Sequence, residues 1–138
     1  MGSIPAKGLV NTIGEMVMSD YQECLDNMVG RVVKYVDIDH DQMKITCEDN
    51  SVFTFYHEQD CCECVYIADT EGEPMSLKGW KLLLVDMEAT KESSWDRDES
   101  KTTTVVKFVT DENTVSVKWI GESNGYYSES VDLREFLA

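Results

Sequence analysis

The chain has 138 residues, 42% of them hydrophobic, which suits one domain built around a single core. It carries 27 acidic and 12 basic residues, a net charge of −15, so no basic stripe exists to neutralise phosphates and direct DNA or RNA binding is not expected. No apolar run approaches the roughly 20 residues that span a bilayer, and no signal-peptide pattern opens the chain, so neither membrane insertion nor secretion is expected.

Residues 1–19 read as a flexible leader and 20–138 as a single β-rich domain. Leu9 to Val29 is the one plausibly helical region. Ser19-Asp20 offers a cap, and Tyr21, Cys24, Leu25 and Met28 fall at helical spacing before Gly30 stops the run. From Arg31 the period changes to two. Val32, Val36 and Ile38 share a face, Asp39-His-Asp41 turns, and Met43, Ile45 and Cys47 alternate with polar residues as a half-buried strand. Cys47 is thereby a buried apolar group and His40 a solvated one. Asp49-Asn-Ser51 turns again, Phe53 to His57 runs back, and Cys62 to Asp69 forms the next strand.

Pro74 interrupts the chain, and Met75 to Gly79 suits one helical turn. Trp80 to Met87 is apolar on both faces and is expected to lie centrally in a sheet. Lys91 to Lys101, with Trp95, reads as a mobile polar loop. Thr102 to Thr110 and Thr114 to Ile120 make a hairpin, with Val115, Val117 and Trp119 facing the core. Gly121 to Gly125 is a turn, and Tyr126 to Leu133 closes the sheet. The sum is an α+β domain, predominantly antiparallel β, with about seven or eight strands and one or two short helices.

Unusual side chains gather at Phe53 to Asp69, which holds three of the five cysteines and one of the two histidines. An odd cysteine count without a secretion signal suggests reduced thiols in a cytosol. His57, Cys61 and Cys62 carry zinc-type donors, but Cys-Cys-x-Cys is not the usual paired-knuckle spacing. A Cys61 nucleophile activated by His57 would need an oxyanion hole that the sequence does not display. His57 also shares strand parity with Phe53 and Phe55, as a hydrogen-bonded core histidine would. The third reading is a small-ligand pocket. It joins His57, Gln59, Asp60, Cys61 and Cys62 to Asn124, Tyr126 and Tyr127, with aromatic rings for stacking and amide and carboxylate groups for a base edge. No catalytic residue is assigned and no cofactor is expected, zinc being the alternative.

Tyr56-His-Glu-Gln-Asp-Cys-Cys-Glu63, Val65-Tyr-Ile-Ala-Asp69, Gly72 and Trp119-Ile-Gly-Glu-Ser-Asn-Gly-Tyr-Tyr-Ser-Glu-Ser-Val131 resemble a family of small tailed-bacteriophage proteins. That family is filed as a domain of unknown function. The likeness covers Arg31 to Leu133 and departs at Gly72-Glu-Pro-Met-Ser-Leu77. It implies a phage-encoded protein of the host cytoplasm and lends no catalytic residues. The reading it favours is a non-enzymatic binding protein that counters bacterial defence by sequestering a nucleotide-derived immune signal, with a pocket enclosed by self-association into a homo-oligomer. The competing readings are an acidic DNA mimic or inhibitor that binds a host defence protein, and a zinc-stabilised protein.

Overall fold

The computed structural model describes residues 21–94, 99–124 and 127–137. Residues 21–28 form α1. Eight strands follow: β1 (Val33–Ile38), β2 (Met43–Cys47), β3 (Val52–Tyr56), β4 (Cys64–Glu71), β5 (Leu84–Ser94), β6 (Glu99–Val109), β7 (Thr114–Ser123) and β8 (Asp132–Phe136). They make two four-stranded antiparallel sheets, ordered β1-β2-β3-β8 and β4-β7-β6-β5. The leader and the Ser19-Asp20 cap lie outside the described residues.

The alternation read from the sequence places one face of each sheet in a shared core. Met43, Ile45, Cys47, Phe53 and Phe55 come from the first sheet; Val106, Phe108, Val115, Val117 and Trp119 come from the second. Phe55 meets Phe108 edge-to-face with centroids 5.7 Å apart, tying the sheets together. Leu25 and Met28 bring one stripe of α1 into the same core. Gly30 ends the helix at φ +93°, a conformation that costs glycine little. Burial pushes the Cys47 thiol up to about 11, as expected of a core cysteine and not of a nucleophile.

Four boundaries differ from expectation, each for a local reason. A bulge between Val33 and Tyr35 shifts the parity of β1, so Val33 and Val36 are buried and Val32 only half-buried. Residues 80–83 do not belong to a central strand. They run beside the first sheet through the Val32–Lys81 bridge, and β5 beyond them is an edge strand. The polar Lys91–Lys101 segment largely extends β5 and β6, with continuous register from Leu84–Val109 to Ser94–Glu99; Trp95 lies outside the described residues. Finally, β7 runs to Ser123 and the last strand starts only at Asp132, leaving residues 127–131 as a non-strand crossing between the sheets.

Tyr21 fixes α1 to the start of β8. Its hydroxyl donates to Asp132 Oδ1 at 2.7 Å, while Asp132 Oδ2 accepts the Glu58 N–H at 2.8 Å. Tyr21→Phe is expected to cost about 1 kcal/mol in urea unfolding, the net value of one such bond.

Candidate functional site

After β3 the chain must reverse from one sheet to the other within seven residues, and a single carboxylate organises the reversal. Glu63 is buried, with its side chain fully enclosed. Its Oε2 lies 2.7 Å from His57 Nε2 and accepts the Asp60 N–H at 2.7 Å; its Oε1 accepts the Cys61 N–H at 2.9 Å. The hydrogen bond from His57, followed by the two backbone N–H groups, holds this carboxyl down to about 2 against the cost of burial. His57 Nδ1 faces the Ser130 carbonyl at 2.7 Å. A carbonyl only accepts, so Nδ1 donates to Ser130 while Nε2 faces the Glu63 carboxylate, and both ring nitrogens are engaged. The Gln59 amide closes the loop by donating to the Glu63 and Cys61 carbonyls at 2.7 and 3.2 Å.

The crossing segment carries a second buried carboxylate, Glu129. Oε1 accepts from the Thr102 hydroxyl at 2.7 Å and from Ser100 at 3.2 Å, and Ser123 donates to Oε2. Ser100 and Ser123 are cross-strand partners, as are Thr102 and Gly121. The inner face of β6 and β7 therefore turns from apolar at Val106 and Phe108 to hydroxyl-lined at Ser100 and Thr102. Gly121 leaves the space in which Glu129 sits: a Cβ there would lie 2.6 Å from the Glu129 carbonyl oxygen.

Two grooves flank this crossing. One, of about 360 Å³, lies between α1, the inner ends of β5 and β6, and the crossing. It is lined by Tyr21, Met87, Lys91, Thr104, Tyr127 and Ser128 among others, with Glu129 and Thr102 at its floor. The other, about 580 Å³ and shallow, lies on the outer face. Glu92, Lys101, Glu122 and Cys64 pair in one row across all four strands, with Glu99, Asn124 and Cys62 beside them.

The two stretches singled out in the sequence thus come together, although not as one pocket. His57 bonds the crossing that follows β7. Cys62 and Asn124 line the outer groove, and Tyr127 lines the inner one. Tyr126 lies outside the described residues. His57 is enclosed with both nitrogens engaged, so it positions the corner and does not present a free edge to a ligand; the core-histidine reading describes it best. Gln59 and Asp60 act through their bonds to the loop. Cys61 and Cys62 form a disulfide between adjacent residues, which corrects the expectation of five reduced thiols; Cys47 and Cys64 are free.

With His57 turned to Glu63 and the two sulfurs bonded to one another, His57, Cys61 and Cys62 do not fit a zinc site. Among the described residues no other group of three donors converges. Glu63 and Glu129, which organise both stretches, were not selected from the sequence.

Residues 26–133 match the family described as Domain of unknown function (DUF7448). With most of the chain covered, the protein belongs to that family. Searches of curated proteins and of solved structures each gave no match. Among the described residues no helix is long and apolar enough to cross a membrane.

Proposed function

We propose that the protein is a non-enzymatic binding domain for a small nucleotide-derived molecule, held in the groove between α1, β5, β6 and the crossing. The observation that carries this reading is the lining of that groove. Two tyrosine side chains, Tyr21 and Tyr127, and the Met87 thioether supply area for a planar ring, while Thr104, Ser128 and Lys91 supply polar partners. The single lysine suits a ligand of low negative charge, since the surrounding protein carries −15. The resemblance to phage proteins supplies a setting in which such capture removes a bacterial immune signal. That role is an analogy resting on the likeness alone.

Net charge by itself gives less support to nucleic-acid imitation. On the outer face of the second sheet the signs alternate, with Asp86 opposite Lys107, Lys101 between Glu92 and Glu122, and Asp69 opposite Lys118. A phosphate-like row of one sign is not formed there.

Native mass spectrometry of protein purified from bacterial lysate, before and after denaturation, tests the reading. A retained nucleotide-derived mass is expected, and Tyr127→Ala should weaken rebinding by about 1–3 kcal/mol, roughly 5- to 150-fold, the value of one stacked base. A bare mass combined with no thermal shift from nucleosides, mononucleotides or cyclic dinucleotides would overturn it.

A further inference from the structure

The outer groove has a property of its own, independent of ligand capture in the inner one. Cys61, Cys62 and Cys64 are all exposed, and the first two are joined. Only Cys62 of the joined pair lines the groove. Cys61 is fixed through its backbone: its N–H donates to Glu63 at 2.9 Å and its carbonyl accepts from Gln59 at 3.2 Å. A nucleophile arriving along the groove therefore meets the Cys62 sulfur, with Cys61 as the leaving group.

The groove also carries a charge filter. Glu92, Glu99 and Glu122 stand around Lys101, the only basic side chain in its lining among the described residues. Like charges on groove and reagent slow encounter, opposite charges speed it, and salt removes both effects. We propose that Cys62 is a thiol–disulfide exchange site for low-molecular-weight thiols, and that it selects cationic thiols over anionic ones.

The step balances without an outside oxidant. A thiolate attacks Cys62 Sγ, the Cys61–Cys62 bond breaks, and Cys61 departs as a thiolate that takes a proton from water. The reagent remains on Cys62 as a mixed disulfide. A second thiolate attacking the reagent's sulfur releases its symmetrical disulfide and leaves Cys61 and Cys62 reduced, so the thiol is oxidised and the protein disulfide reduced. Cys64, two residues on, lies in the same wall and is the internal control for placement of the adduct.

The full chain, air-equilibrated, would be treated with cysteamine or with glutathione, quenched in acid and mapped by peptide mass spectrometry. Rates are divided by those of a short peptide containing an oxidised Cys-Cys pair in the same buffer, which removes intrinsic differences between the reagents. The expected result is an adduct on Cys62 and a cysteamine preference of about 10-fold or more at low salt. That preference should collapse toward the peptide's value in high salt, and in the double variant Glu92→Gln, Glu122→Gln. Equal normalised rates, an adduct on Cys61 or Cys64, or alkylation of Cys61 and Cys62 as free thiols in the native protein would each overturn the proposal. None of these results bears on whether the Tyr127 groove takes a nucleotide.

Discussion

His57→Ala is expected to destabilise the protein by about 2–3 kcal/mol, because it removes the hydrogen-bond partner of the buried Glu63 carboxylate and leaves the Ser130 carbonyl unpaired. Glu63→Gln tests the same pair from the other side and adds a signature in pH. The Glu63 carboxyl is about 2 when folded against an ordinary value of 4.5. A depressed carboxyl contributes stability that is fully present above the unfolded value and is lost as pH falls through the folded one. Wild type should therefore exceed Glu63→Gln at pH 6, and the gap should close progressively between about pH 4.5 and pH 2. Urea midpoints of both proteins across that window measure it. A gap independent of pH would mean that Glu63 acts through packing and not through its charge.

The strands with one buried face were legible in the sequence because period-two alternation is a direct consequence of that burial. β2, β6 and the first half of β7 show it, and Gly30 marked the end of α1. What failed were two segments whose composition misrepresents their pairing. Residues 82–84 are apolar on both sides because Leu82 enters the core while Leu83 and Leu84, the first residue of β5, stay exposed, a pattern that imitates a central strand without forming one. The Lys91–Lys101 segment looked like a loop because β5 is an edge strand whose polar side chains face water, and edge strands often carry charge. Its hydrogen-bond register, invisible in composition, makes residues 91–94 and 99–101 strand.

The site was legible as two stretches but not as chemistry. Cysteine and histidine drew attention because their side chains bind and react, yet the organising groups are carboxylates. Asp and Glu are so numerous here that no single one stands out; only its partners distinguish Glu63 from Glu58 or Glu129 from Glu122. Those partners are backbone N–H groups and strand hydroxyls, which spacing does not reveal. The same holds for the Cys61–Cys62 bond, since adjacency in sequence does not say whether the local backbone brings two sulfurs together.

Gly121→Ala is the substitution expected to propagate furthest. The added Cβ would meet the Glu129 carbonyl oxygen at 2.6 Å and the Glu129 Cβ at 2.7 Å. No flexible side-chain tip lies there to move aside, so residues 127–131 must shift as a segment. Displacing it pulls the Glu129 carboxylate from Ser100, Thr102 and Ser123 and loosens the Ser130 carbonyl from His57. Overpacking of this kind costs about 1–3 kcal/mol, and weakening hydrogen bonds to a buried carboxylate adds about 1.5–3 kcal/mol. A loss of about 3 kcal/mol or more in urea unfolding is expected. Glu129→Gln separates the two terms: the amide oxygen still accepts from a hydroxyl and the backbone keeps its place, so the cost should stay near 1 kcal/mol. Tyr127 and Ser128 belong to the displaced segment and line the inner groove. Gly121→Ala should therefore abolish ligand capture where Glu129→Gln retains it. If Gly121→Ala is as stable as wild type, the crossing is not seated on β7 in the way that links the two carboxylates to the groove.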